Sequence, residues 1–205
     1  MSFTCTHYIS APPESVGRHI EHLDMSPDRS ALLLVNVYGL LLPATHPARQ
    51  TLAGIYAENE VTHRENLARE SLLPVLHAAR QTGMPVIYVA DSAPNIGLDG
   101  THIRDVMVRH LDIDPVTRFA ENCNDPREYS QSDATQISYS PELAPQKGDF
   151  YIRKWVYSGF HATWLDRLLR NLGTTTLFCA GFNGDSDLLC TMLEGHWAGY
   201  RMVLV

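Results

Sequence analysis

Three stretches of this chain, ALLLVNV (31–37), PVIYVA (85–90) and TTLFCA (175–180), are close to continuously apolar over the length of one strand. A strand that faces water on one side alternates apolar with polar residues, whereas one that is apolar throughout must be covered on both faces. That requirement points to a parallel sheet held between two layers of helices. The intervening segments agree. Leu67, Leu72, Val75, Leu76 and Ala79 recur near helical spacing within 61–81, where Gly83 supplies the stop. Leu165, Leu168, Leu169 and Leu172 form the apolar stripe of a helix over 163–172, closed by Gly173. DFYIRK (149–154) and YRMVLV (200–205) read as further strands, and 101–111 and 185–198 as further helices. Strands and helices alternate, so the expected class is α/β, a three-layer αβα arrangement with a mainly parallel sheet.

The remaining segments are less regular. Residues 1–29 read as an irregular N-terminal arm broken by Pro12 and Pro13, with Ser15 capping a short helix through Glu21, ahead of one domain over 30–205. Residues 38–60 carry Pro43 and Pro47 without a clean period and read as a long loop over the sheet edge. Pro74 either kinks the helix of 61–81 or marks its start. The stretch 112–147 is the least regular part, and a connection of that length is functional or mobile.

Charge and cysteine usage narrow the function classes. A net charge of −7 without a basic run argues against nucleic acid as partner, because neutralising phosphates needs clustered Lys and Arg. No apolar run approaches the roughly 20 residues that cross a bilayer, and MSFTCTHYIS lacks the pattern of a secretory signal. The expectation is a cytoplasmic protein acting on a small molecule, without a membrane partner. Cys5, Cys123, Cys179 and Cys190 show no C-x-x-C spacing, so neither a zinc site nor a disulfide framework is indicated, and no cofactor is expected.

The stretch TLFCAGFNGDSDLLCT (176–191) is the natural place for a site. A strand that breaks through a Gly-rich turn into a helix aims backbone N–H groups and the positive end of the helix at one point. The turn carries Asp185 and Asp187, and acids at a helix start are also favoured for purely structural reasons, as caps and by the dipole. Asn36 interrupts the first apolar run near its C-terminal end, where α/β sheets place their site residues, though it can equally satisfy hydrogen bonds there.

Three segments in register resemble the isochorismatase-like hydrolases, also called the cysteine hydrolase superfamily. ALLLVNVYG (31–39) resembles that family's first strand; KWVYSGFHATWLDRLLRNLG (154–173) resembles its Lys-x-x-Tyr-Ser-(Ala/Gly)-Phe segment and following helix; LFCAGFNGDSDLLCTMLEGHWAGYRMVLV (177–205) resembles its nucleophile turn, helix and final strand. The resemblance implies a homo-oligomer that hydrolyses amides, ureas or, in isochorismatases proper, a vinyl ether. It also implies a cis peptide near Phe182 and Asn183, and a chain that in other members continues past the strand ending here at Val205.

Carried over residue by residue, Lys154 falls on the family's catalytic lysine, Asn36 stands where the family has its aspartate base, and Asp187 stands where most members have their nucleophilic cysteine. Asn has no titratable acceptor and a carboxylate is a poor nucleophile toward amides, so ordinary cysteine-dependent amidase chemistry is not expected. Cys190 lies one helical turn beyond Asp187, deeper than the family's nucleophile. The Asp-x-His metal motif of nicotinamidases is absent from DSAPNIG (91–97), so no metal is implied. The expected catalytic set is Asp187, Lys154 and Asn36, with Trp155, Tyr157, Phe160, His161, Phe182 and Asn183 as pocket wall. A helix N-terminus and Lys154 favour Asp187 as an ionised nucleophile or electrostatic stabiliser; apolar neighbours such as Phe182, Trp155 and Tyr157 favour it as a proton donor. The rival expectation is a catalytically silent member kept for ligand binding or assembly.

Overall fold

The computed structural model describes residues 2–91, 102, 138–154 and 156–205. Among the described residues its first two strands, β1 (Ser2–Ile9) and β2 (Gly17–Asp24), pair only with each other, antiparallel. This corrects the irregular arm expected over 1–29. Ser15 closes a single 3-10 turn (Pro13–Ser15) and caps no helix through Glu21. In GRHIEHLD, Ile20 is flanked by polar residues on both sides, which suits an exposed strand better than one helical face.

The main sheet holds β3 (Ser30–Val35), β4 (Val86–Asp91), β5 (Phe150–Lys154), β6 (Thr176–Gly181) and β7 (Arg201–Leu204) in the order β5-β4-β3-β6-β7, every pair parallel. Among the described residues the α-helices are α1 (Pro47–Ile55), α2 (Glu58–Leu67), α3 (Leu73–Gln81), α4 (Leu165–Asn171) and α5 (Asp187–Trp197). Strand residues divide by parity between two cores. Leu32 and Leu34, Val86 and Tyr88, Phe178 and Ala180 pack with Val61, Leu72 and Leu76 of the α2–α3 layer. Leu33 and Val35, Ile87 and Val89, Leu177 and Cys179 pack with Leu165, Leu169 and Leu188 of the α4–α5 layer. This is the covering on both faces that the continuous apolar runs require, each buried Leu, Ile or Val contributing about 1.5–3 kcal/mol.

Two helical segments depart from expectation. Residues 38–60 are not all loop, for α1 begins at Pro47, whose missing N–H costs nothing at a first turn, and His46 Nδ1 accepts from Ala48 N at 3.2 Å. The helix around Pro74 starts earlier, at Glu58, and passes through a π-helical turn (Ala68–Leu72) into α3. An interior proline clashes with the carbonyl four residues back, and the wider turn gives it room. Apart from His102, the helix expected over 101–111 and the irregular stretch as far as 137 lie outside the described residues. Among those described, no helix is long and apolar enough to cross a membrane.

The chain winds outward from β3 through β4 to β5, returns, and winds the other way through β6 to β7. The reversal leaves a crevice at the C-terminal ends of β3 and β6, the place where open α/β sheets put their ligands. Gly181 makes that closure possible. Phe182 N donates to Val35 O at 2.9 Å. With φ at +133°, a Cβ on residue 181 would lie 1.9 Å from the same oxygen.

Candidate active site

Four strand ends meet at this crevice, and each delivers a polar side chain. Asn36 follows β3, Asp91 ends β4, Lys154 ends β5, and the turn after β6 leads to Asp187 at the start of α5. Lys154 is fully buried and its Nζ donates to Asp91 Oδ1 and to Asp187 Oδ1. Asn36 Nδ2 donates to Asp91 Oδ2 at 3.0 Å, and Tyr38 Oη to the same oxygen at 3.1 Å. Asp187 Oδ2 accepts from Ser186 Oγ at 3.1 Å and from Asn183 Nδ2 at 3.4 Å, while Tyr56 Oη donates to Asn183 Oδ1 at 3.1 Å.

One ammonium therefore serves two carboxylates, and the cluster carries a surplus negative charge. Burial pushes the Lys154 ammonium toward its neutral form, but Asp91 and Asp187 outweigh it and raise its pKa above the ordinary lysine value. It is a fixed cation rather than a base. For Asp91, burial raises the pKa, Lys154 pulls it back and Asp187 raises it again; it ends above the usual aspartate range. Burial, then Asp91 and Asp187, lift the Tyr38 phenol well above its ordinary value, and the same three influences, led by burial, raise Tyr157.

The structure places Lys154 on Asp187, with Asn183 also on Asp187, and joins Asn36 to them through Asp91. Asp91 is the residue that sequence reasoning missed. Its signal was available: an acid at the C-terminal end of the strand beside the one that leads to Asn36. Phe182 packs at the edge of the first core, joined to Asn183 by a cis peptide, with the Arg64 guanidinium 5.1 Å from its ring centroid and 3.9 Å from that of Tyr56. Tyr157 is half-exposed and close enough to feel both acids. Phe160 instead lies in the second core, 5.7 Å from the Tyr200 ring, and His161 sits on an exposed turn. Trp155 lies outside the described residues. The N-cap position of α5 is taken by Ser186, whose side chain makes no capping bond, and Asp185 is exposed.

Thiol chemistry has little to work with here. Cys179 faces the second core, where burial pushes its thiol up to about 12. Cys190 is half-buried one turn along α5. Among the described residues, no group of three His, Cys, Asp or Glu side chains is placed to hold a metal ion.

Fold and site together define a doubly wound α/β protein with a lysine-centred acidic site at its switch point. The chain belongs to the isochorismatase family: the family model described as Isochorismatase domain matches residues 56–205. No curated protein matches the sequence. Solved structures share the fold. A cysteine hydrolase from Pseudomonas syringae pv. phaseolicola 1448A is 23% identical with a TM-score of 0.62, over 88% of this chain and 72% of that one. N-carbamoylsarcosine amidase from Thermoplasma acidophilum is 24% identical with a TM-score of 0.53, over 86% and 81%. An isochorismatase from Pseudomonas putida KT2440 is 19% identical with a TM-score of 0.51, over 90% and 72%.

Proposed function

We propose that this chain is a hydrolase of a small polar molecule in which Asp91 and Asp187, gathered on Lys154, replace cysteine nucleophilic catalysis by proton transfer and charge stabilisation. The observation that carries the reading is the pairing of two carboxylates with one buried ammonium. A single proton on Asp91 removes the surplus charge and leaves Lys154 and Asp187 as a neutral pair. Asp91 is then a carboxylic acid at the partly exposed side of the cluster, its side chain 26% exposed against 7% for Asp187.

Such a site suits bonds that break after protonation, a vinyl ether before an ester, amide or urea. Asp91 gives its proton to the alkene carbon, and the resulting oxocarbenium ion is stabilised by the Asp187 carboxylate. Water adds to that cation, its proton returns to Asp91, and the hemiketal splits into a carbonyl compound and an alcohol. Asn36 and Asn183 hold the two acids in place. A homo-oligomer fits this reading, since Leu189, Leu193 and Trp197 present an exposed apolar stripe on α5. The second reading, a silent ligand-binding or assembly member, draws support from the complete burial of Lys154.

One panel separates the two. Native protein, Asp91→Asn, Asp187→Asn and Cys190→Ala are assayed on vinyl-ether, ester, amide and urea substrates. We expect turnover of the vinyl ether by native and Cys190→Ala, and a loss of about 10²–10⁴-fold in each Asp variant. Equal turnover by native and Asp187→Asn removes Asp187 from the mechanism, and no turnover of any class by native protein establishes the silent reading.

A further inference from the structure

Asn36 is held in a way that suits a task other than touching substrate. Its backbone N–H donates to Val89 O at 2.9 Å, two residues before Asp91 on β4, and its φ is +51°, a left-handed conformation that Asn and Asp tolerate better than other side chains. Among the described residues its side chain has one hydrogen bond, from Nδ2 to Asp91 Oδ2. Its Oδ1 is buried without a partner. Only Asp91 therefore sets which way the amide points.

The two oxygens of Asp91 are not equivalent. Oδ1 faces Lys154, an ammonium that donates and never accepts, so a proton on Asp91 must sit on Oδ2, toward Asn36 and Tyr38. A half-turn of the Asn36 amide exchanges Nδ2 for Oδ1 and converts a donor to the carboxylate into an acceptor for the acid. The Tyr38 hydroxyl has the same capacity. An aspartate at position 36 lacks it: when ionised it only accepts, and it would put a second carboxylate against the first.

We propose that Asn36 is a positioning residue for Asp91, donating to its carboxylate and turning to accept from its carboxylic acid, so that positions 36 and 91 together hold one acid and one amide. This deepens the functional reading above, but the coupling it names belongs to the resting protein. The groups facing Asp91 are Lys154 from β5, Asp187 from α5 and Tyr38 after β3, with Tyr151 and Tyr157 close enough to interact. Exchanging the residues at positions 36 and 91 moves one carboxyl group to the other side of their shared hydrogen bond and keeps the charge of the cluster.

The test is that exchange. Thermal melting is followed across pH for native protein, Asn36→Asp, Asp91→Asn and the double variant carrying both. Asn36→Asp adds a carboxylate 3.0 Å from the first, so it should melt below native protein increasingly as pH rises and converge with it at acid pH. Asp91→Asn should flatten the pH dependence, and the double variant should recover a native-like profile, melting higher than the more damaged single. Single variants that do not fold beside a double variant that does give the same support. Two single effects that simply add in the double variant overturn the proposal, as does a double variant that fails to fold while either single folds. Infrared difference spectroscopy supplies a second readout, following the carboxylic-acid band that Asp91→Asn removes. In a Tyr38→Phe background, Asn36→Leu should shift that band to higher frequency as the acid loses its remaining acceptor, and an unshifted band overturns the proposal. Recovery of the melting profile with no turnover by native protein would leave this coupling standing and the proposed hydrolase reading fallen.

Discussion

Arg49 on α1 and Lys154 on β5 each sit between two carboxylates. Arg49 donates through Nη2 to Glu58 at 2.6 Å and through Nε to Glu65 at 2.8 Å, and Lys154 donates to Asp91 and Asp187. Both clusters hold one cation and two acids, yet the surplus charge goes to different places. Glu58 is 68% exposed, so water carries the excess around Arg49. The guanidinium also meets its two acids through separate N–H groups in a fixed fork. Around Lys154 both acids lie within the fold and converge on one nitrogen. With Asp187 buried and Asp91 only 26% exposed, water screens the surplus far less than it does at Glu58, and a proton relieves it. Stoichiometry alone does not separate an ion pair that ties helices together from one that suits the proton transfer proposed above; the solvation of the odd charge does.

The largest break in this comparison is Lys154→Met. Two carboxylates would remain in the interior without a cation, and losing one partner of a buried ion pair costs about 3–5 kcal/mol. Urea unfolding at neutral pH should show that loss, and activity should be abolished. The deficit should shrink as pH falls, because protonating the acids removes the repulsion. In native protein both titrations run the same way. The raised pKa of Asp91 gives stability that is full below the ordinary aspartate value and lost as pH rises through the raised one; the raised pKa of Lys154 gives stability lost only as pH climbs past the ordinary lysine range. A Lys154→Met deficit that stays constant from acid to neutral pH would remove the charge argument.

Asp91→Asn comes next and sharpens the contrast by making the cluster neutral. If Asp91 supplies the proton, native turnover should fall on the alkaline side as pH rises through its raised pKa, and Asp91→Asn should retain about 10⁻²–10⁻⁴ of the activity without that limb. Folding should survive, since one acid still faces Lys154.

Asp91 also marks the limit of what the sequence disclosed. The sheet was legible because strands such as ALLLVNV and TTLFCA can be buried only on both faces. Lys154 and Asp187 were picked out as candidates by the family resemblance of the segments that carry them. Asp91 has no motif. It opens DSAPNIG, a segment rich in turn formers, and becomes a site residue only when β4 lies beside β3 and brings it against Asn36 and Tyr38. Phe160 erred the other way. Its place in YSGF suggested a pocket wall, whereas the turn after β5 swings it into the core against Tyr200. The hairpin of β1 and β2 escaped notice because both faces are largely polar and exposed, leaving a weak period to read.

Arg49→Leu probes the other cluster at intermediate size. It strands Glu65, whose side chain is 15% exposed, so a cost of about 1–3 kcal/mol is expected for a carboxylate left without its donor. Activity per folded molecule should be unchanged, because Arg49 makes no hydrogen bond to Asp91, Lys154 or Asp187. A shifted pH–rate profile in this variant would show that the two clusters are coupled.

The smallest effect is Glu58→Gln, and it decides whether solvation is the right distinction. Glu58 makes the shorter of the two Arg49 contacts, 2.6 Å against 2.8 Å for Glu65. Distance alone would make it the stronger partner. Its exposure argues the reverse, since an ion pair with one member in water is screened and contributes about 0–1 kcal/mol. Removing its charge should therefore cost less than 1 kcal/mol in urea unfolding, and the cost should diminish further in added salt. The comparable removal of charge at Asp91 should be insensitive to salt and sensitive to pH, because that carboxylate exchanges its surplus charge with a proton rather than with the solvent. A Glu58→Gln loss as large as that of Arg49→Leu would mean that contact length, not solvation of the odd charge, sets the strength of these clusters.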